Sequence, residues 1–407
     1  MKKIGVGVVG LGKRGISLIP TIIFTGDADV VAVCDLYGDR VEDGCRLVEE
    51  NGGAAPTGYT DYHKLIDDPK VEAVFVSTAW ESHVEIAVAC MKAGKAVSME
   101  VGGAYNVEDC WTLVKAYEET GTPFMLMENC CYDEFELQTT ALVRAGKLGR
   151  VVHCHGAYSH DLRDEVSGGN VDRHYRLRNY RNRNCENYPT HELGPIAKIL
   201  NINRGNRLVS LVSVASCAEG IKEFVDSGKC RDKEIDGAGF KQGDIVSTVI
   251  TCAGGETITL TLDTTLPKYY SREFTVRGTK GLAQAETEMI NIEGDCNTHE
   301  YWENVKNKEK YSAYVPDCWK NITPEQRKAG HGGMDYIEFK EWLGALRDGR
   351  EMPVDVYDAA AWMCVTALSE ASVAQAGAVQ MFPDFTCGKW LLREKRDVID
   401  LPRPEDK

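Results

Sequence analysis

The sequence predicts an α/β protein with two domains. The first is a doubly wound parallel sheet over residues 1–127, and the second an α/β domain with a large open, mostly antiparallel sheet over residues 128–407. Three observations predict this. Short apolar runs alternate with helical segments through the N-terminal part of the chain. A glycine-rich turn follows the first run and opens the first helix. Beyond about residue 128, strand-like apolar runs succeed one another with few helices between them.

Residues 4–9, IGVGVV, read as a buried parallel strand. Gly10-Leu11-Gly12-Lys13-Arg14-Gly15 follows, then a helix over 16–24 and a second strand over 30–34 that ends at Asp35. The glycines have separate uses. Gly10 permits the tight turn, Gly12 lets the backbone approach a pyrophosphate, and Gly15 lets helix and strand pack closely. The helix N-terminus supplies N–H groups and partial positive charge to phosphates. Asp35, 20 positions after Gly15, suits hydrogen bonds from an adenosine ribose and repels a 2′-phosphate, which favours NAD over NADP. The pattern predicts a Rossmann domain, with Gly10, Leu11, Gly12, Lys13, Arg14, Gly15 and Asp35 as cofactor-binding residues.

The alternation continues with strands over 71–77, 96–99 and 123–127 and helices over 82–93 and 107–120. Ligands of such sheets bind beyond the carboxyl ends of the strands. That places Trp80, His83, Glu100 and Glu128 along the expected cofactor crevice.

The second domain has expected strands over 151–154, 208–214, 245–252, 257–262 and 273–277, and a long alanine-rich helix over 355–377. Residues 168–183 are polar and read as an active-site loop carrying the basic run Arg173, Arg176, Arg178, Arg181 and Arg183. An open sheet with one face for the site leaves the other for a partner subunit, so a homo-oligomer is expected.

The formal net charge is −15. An acidic surface argues against nucleic acid or an anionic membrane as partner. No apolar run reaches the roughly 20 residues of a spanning helix. The start, MKKIGVGVVGLGKRG, has the charge pattern of a signal peptide, but four glycines interrupt its apolar run, so a cytoplasmic protein is expected. The 15 cysteines are scattered, with no recurring CxxC pair, as in a reduced cytosolic protein. His153, His155 and His160 lack a clear further ligand, and no metal is expected.

Several blocks carry a family resemblance: TAWESH (78–83), MENCCY (127–132), GAYSHDLR (156–163), NYPTHELGPIAKILNINRGNR (187–207), LDTTLPKYYSR (262–272) and HGGMDY (331–336). They resemble the Gfo/Idh/MocA oxidoreductase superfamily and, within it, glycoside hydrolase family 109, the NAD-dependent α-N-acetylgalactosaminidases. Ordinary oxidoreductases of the superfamily carry Glu-Lys-Pro after the fifth strand, and the lysine relays a proton. Here the run is Glu100-Val101-Gly102, without that lysine, as in the glycosidases. The family's Trp-Glu-Trp-His and His-Gly-Ile-Gly-Pro read here as Trp80-Glu81-Ser82-His83 and His191-Glu192-Leu193-Gly194-Pro195. A bulky wall is lost at Ser82 and a carboxylate is gained at Glu192.

The resemblance implies an exo-glycosidase acting on terminal N-acetylgalactosamine or a related sugar. Bound NAD would take hydride from C3, the glycosidic oxygen would leave by C1–C2 elimination, water would add, and the hydride would return. Either anomer is a candidate substrate. The alternative is a net sugar or inositol dehydrogenase of the same superfamily. His191, following Thr190 as the expected helix N-cap, is the first candidate base, with Tyr188 as its partner. Tyr158, His160, Arg163, Arg176, Tyr270 and His331 are the candidate substrate-binding residues, for a small carbohydrate or a glycan terminus.

Overall fold

The computed structural model describes residues 2–294 and 307–404. The run IGVGVV forms strand β1 (Ile4–Val9), buried along almost its whole length. A strand can be apolar at consecutive positions only when helices cover both faces of its sheet. Five more parallel strands join it: β2 (Ala28–Cys34), β3 (Thr57–Tyr59), β4 (Ala73–Val76), β5 (Ala96–Glu100) and β6 (Phe124–Met127). Their order is β3-β2-β1-β4-β5-β6. Helices α1 (Lys13–Phe24), α2 (Gly38–Glu50), α3 (Tyr62–Asp67), α4 (Trp80–Lys92) and α5 (Val107–Thr120) make the connections. The strand order reverses between β1 and β4, the switch point at which such sheets take their ligands.

The chain divides into two units. The first comprises residues 1–101, 107–132 and 320–360, and the second residues 102–106, 133–319 and 361–407. The expected break after residue 127 lies near the division at 132, and residues 320–360 join the first unit. The return of 320–360 to the parallel sheet has a packing cause. On the helix Met334–Asp348, Phe339 sits edge-on against Phe75 of β4, with ring centroids 5.3 Å apart. Leu126 N of β6 donates to Val354 O at 3.1 Å. Tyr357 Oη donates to Glu118 of α5 at 2.7 Å.

The second unit is built on eight strands: β7 (Val151–Ser159), β8 (Leu208–Ala215), β9 (Ile245–Cys252), β10 (Thr257–Asp263), β11 (Thr275–Gly278), β12 (Gly281–Gln284), β13 (Met289–Ile292) and β14 (Gln380–Met381). Their order is β13-β12-β11-β7-β10-β9-β8-β14. The β7–β10 pair is parallel and the other pairs are antiparallel. Burial alternates residue by residue along β9 and β10, the signature of a sheet covered on one face. Five helices precede β8: α6 (Glu134–Arg144), α7 (Arg163–Ser167), α8 (Gly169–Asp172), α9 (Arg176–Asn182) and α10 (Thr190–Ile199). Helix α10 lies against β7 at Gly156, where a Cβ would stand 2.6 Å from Glu192 O. Only glycine allows that approach.

The polar stretch 168–183 is not a loop. It folds into α8 and α9, separated by Arg173 in the left-handed region at φ 53°. Val166, Leu177 and Tyr180 are buried beneath it, and Tyr180 Oη hydrogen-bonds Thr264 Oγ1 at 2.7 Å. The expected long helix is present as Val356–Ala374. Among the described residues, no helix is long and apolar enough to cross a membrane.

Candidate active site

In the first unit the glycine turn has the geometry of a phosphate cradle. Gly10 adopts φ 95°, and a Cβ there would lie 2.4 Å from Ser77 O. A Cβ on Gly15 would lie 1.9 Å from Gly10 O, so helix and turn touch backbone to backbone. A Cβ on Gly12 would meet only Arg40 Nη1, at 3.9 Å, so the space over Gly12 is open. Helix α1 begins at the next residue, and no side chain caps its N-terminus. An uncapped helix N-terminus facing open space suits an anionic group.

Asp35 fastens this turn to the end of β2. Its Oδ2 accepts from Leu11 N at 2.7 Å and its Oδ1 from Tyr37 N at 3.0 Å. Arg40 Nη1 stands 3.7 Å from the same carboxylate; sequence reasoning missed this residue, since nothing in the local pattern marks it. The cradle, the helix terminus and the carboxylate at the end of β2 together fit a dinucleotide.

Arg14 and Glu100, both expected to face the cofactor, bind each other. Arg14 Nε donates to Glu100 Oε1 at 2.8 Å, and its two terminal nitrogens grip Asp335 at 2.8 and 2.9 Å. Asn129 donates to Asp335 Oδ1 at 2.7 Å. Burial alone would push the Asp335 carboxyl up; hydrogen bonds from Arg14 and His331 outweigh it and hold the acid well below the carboxylate range. His331, expected among the sugar ligands, belongs to this first-unit cluster. Its Nδ1 lies 2.9 Å from Asp335 Oδ2 and 3.0 Å from Arg14 Nη1. The glycine before it explains the turn: a Cβ on Gly330 would stand 2.2 Å from Asp335 Oδ2.

Trp80 is the first residue of α4 and is buried, as is His83. His83 Nε2 donates to Thr78 O at 3.0 Å, and burial brings its imidazole down to about 4. It is therefore a neutral donor holding the turn after β4. Glu128 is fully buried at the end of β6, where its Oε1 accepts from Cys130 N at 3.1 Å.

The second unit gathers most of the remaining candidates. The rings of Tyr188 and His191 are 4.9 Å apart and nearly perpendicular. Tyr158, from β7, lies 4.4 Å from Tyr188 and 5.5 Å from His191. His160 packs on Tyr158 at 4.9 Å and on Tyr270 at 5.3 Å. The alternation of β7 aims Tyr158 at this cluster, and His160 follows just beyond the strand. Buried Arg176 lies 4.7 Å above the Tyr188 ring, and its Nη2 donates to Tyr158 Oη at 3.4 Å. Glu165, unremarked in the sequence, pairs with Arg176 Nε at 3.1 Å. Burial and then the charge of Arg176 lower His160 to about 4. Burial raises the Tyr158 phenol to about 12, against the opposing pull of Arg176. The cluster offers aromatic faces, a neutral imidazole and one buried cation, a set suited to a polyhydroxylated ring.

Three expectations change in detail. Thr190 is not the N-cap of α10: Pro189 already has helical angles, φ −71° and ψ −18°, and the helix starts at Thr190. His191 still falls in the first turn. Arg163 grips Asp161 through Nε and Nη2 at 2.9 and 2.6 Å and lies over the Phe224 ring, so its fork is engaged locally. Of the basic run, Arg176 faces the aromatic cluster, whereas Arg183 pairs with Glu370 and the carbonyls of Ala104 and Tyr105. Tyr270 is half-exposed and its hydroxyl accepts from Arg272 Nη1 at 3.1 Å.

Comparison with known proteins agrees with both units. Residues 4–128 match the oxidoreductase family with an NAD-binding Rossmann fold, and residues 132–392 match the C-terminal domain of glycosyl hydrolase 109. The chain is 35% identical over 411 residues to an alpha-N-acetylgalactosaminidase of Tannerella forsythia, covering 95% of this chain and 87% of that protein. It is 36% identical over 425 residues to a glycosyl hydrolase family 109 protein of Stenotrophomonas maltophilia, covering 98% and 92%. In fold it resembles levoglucosan dehydrogenase in complex with NADH and levoglucosan, with TM-score 0.70, 16% identity, and coverage of 94% of this chain and all of that one. It also resembles myo-inositol 2-dehydrogenase from Lactobacillus plantarum, with TM-score 0.68, 15% identity and the same coverage. A dinucleotide cradle of this build, joined to a hydrolase domain matched over most of its length, makes the chain a member of glycosyl hydrolase family 109 and a glycoside hydrolase on an oxidoreductase fold.

Proposed function

We propose that the protein is an NAD-dependent exo-glycosidase that removes terminal N-acetylgalactosamine or a related sugar without net oxidation. The observation that carries the reading is the edge contact of Tyr188 and His191 within a cluster of aromatic rings and one buried arginine. The names of the relatives support the sugar. NAD, when bound, supplies a hydride acceptor for C3 of the sugar and gives the hydride back at the end of the cycle.

The protein's own residues do the rest. Tyr188 and His191 handle two protons, one at the C3 hydroxyl and one at C2. A carbonyl at C3 acidifies the C2 hydrogen, and its removal expels the C1 oxygen. Water then adds at C1, and the proton returns to C2. No pair of carboxylates flanking C1 is needed, unlike in most glycosidases. Arg176 orients the sugar and supplies positive charge to the oxygen on which negative charge develops. Leaving-group departure by elimination tolerates both anomers. The missing lysine after Glu100 favours this cycle over a net dehydrogenase. We further read the uncovered face of the eight-stranded sheet as the contact with a second copy of the chain. The test is whether C2 exchanges with solvent during turnover while no NADH accumulates.

A further inference from the structure

Glu186 and Glu192 flank the segment that carries Tyr188 and His191, and both are fully buried. One oxygen of each has a donor. Glu186 Oε1 accepts from Tyr188 N at 3.4 Å, and Glu192 Oε2 accepts from Thr261 N on β10 at 3.2 Å. The other two, Glu186 Oε2 and Glu192 Oε1, have no N–H or hydroxyl donor among the described residues. The two carboxyls lie within interaction range of each other.

Two ionised carboxylates are acceptors only. A hydrogen bond between them needs a proton on one, and their burial without a cation makes the doubly charged state costly. Burial raises both acids, and the charge of Glu186 raises Glu192 further. Among the neighbours, the Cys185 thiol is buried and itself pushed up, while the backbone N–H groups of Tyr188, Thr261 and Tyr158 draw the two acids down and are outweighed by burial. The surrounding segment is otherwise fixed. Glu186 N donates to Ser369 Oγ at 2.8 Å, and Asn187 Nδ2 donates to Gln242 Oε1 at 3.0 Å.

We propose that Glu186 and Glu192 share a single proton and act as positioning residues, clamping the turn that holds Tyr188 and His191 against strand β10. The positioning role rests on the reading of Tyr188 and His191 given above; the shared proton does not. Loss of the proton would set two charges face to face behind the catalytic side chains and open the clamp.

The test compares wild type with E192Q, which has the shape of the protonated acid and does not titrate, and E192L, which cannot make the bond. The infrared difference spectrum, wild type minus E192Q at neutral pH, should contain the C=O stretch of a protonated carboxylic acid. In turnover of p-nitrophenyl N-acetyl-α-galactosaminide, E192L should lose about tenfold in kcat with little change in KM. E192Q should carry the alkaline limb of kcat upward by about one pH unit. A difference spectrum lacking the acid band overturns the shared proton. Wild-type kcat in E192L, or an E192Q profile superimposed on wild type, overturns the positioning role. If H191A turns over at full rate, the reading of His191 fails and the positioning role with it. If H191A is inactive and E192L is not, the positioning role alone fails.

Discussion

Tyr188 and His191, separated by Pro189 and Thr190, enter helix α10 with their rings 4.9 Å apart at an interplanar angle of 87°. One presents a phenol and the other an imidazole, and the buried Arg176 guanidinium lies over the phenol ring. In the proposed reading, this pair moves two protons on adjacent carbons.

His191→Ala and Tyr188→Phe should each lower kcat by about 10² to 10⁴, with a much smaller change in KM, because both remove proton transfer more than binding. Steady-state kinetics on a nitrophenyl glycoside checks this. A variant with full kcat would remove that residue from the chemistry.

Gly15→Ala should damage both cofactor binding and stability. Its Cβ would stand 1.9 Å from Gly10 O, so the turn must open. A loss of about 1–3 kcal/mol in stability is expected for forced overpacking, together with weaker NAD binding. Chemical denaturation and NAD titration by fluorescence measure the two separately.

Arg14→Met should destabilise the first unit by about 3–5 kcal/mol, because it strands buried Asp335 without its cation. Restoring apolar character on both sides, with Arg14→Met and Asp335→Leu together, should recover part of the loss. Urea unfolding of the single and double variants decides it. Additive losses would mean that the pair is not coupled.

His83 gives a stability dependence on the acid side. Its folded value is depressed from 6.5 to about 4 by burial. The neutral form is the one that folds, so its contribution is complete above 6.5 and is lost as pH falls from 6.5 towards 4. The full effect is about 3 kcal/mol. His83→Asn, which keeps a donor for Thr78 O without titrating, should flatten the fall of Tm over that window. An unchanged slope would place the acid sensitivity elsewhere.

The parallel sheet and the dinucleotide turn were legible in the sequence because their signals are local. A strand buried on both faces is apolar at consecutive positions, and Gly10, Gly12 and Gly15 each stand where a Cβ would obstruct a backbone or a phosphate. The return of residues 320–360 was not legible, because it depends on Phe339 meeting Phe75, a pairing with no local mark. Arg14 lies in the right motif, yet its partner Asp335 is 321 positions away. The segment 168–183 is polar in composition, and only the burial of Leu177 and Tyr180 turns it into helices. In the candidate site, Tyr188, His191, Tyr158 and His160 were visible as a motif and as alternate strand positions. Glu165 and Glu186 were not, since a carboxylate that pairs with Arg176 or is buried looks in sequence like any surface acid.

The most direct measurement is turnover of p-nitrophenyl N-acetyl-α-galactosaminide in deuterated water, with NADH absorbance followed alongside. Release of nitrophenol, deuterium at C2 of the released sugar, and no accumulation of NADH are expected. Nitrophenol release with hydrogen retained at C2 would contradict the proposed cycle, and NADH accumulating with the glycoside intact would make the protein a dehydrogenase instead.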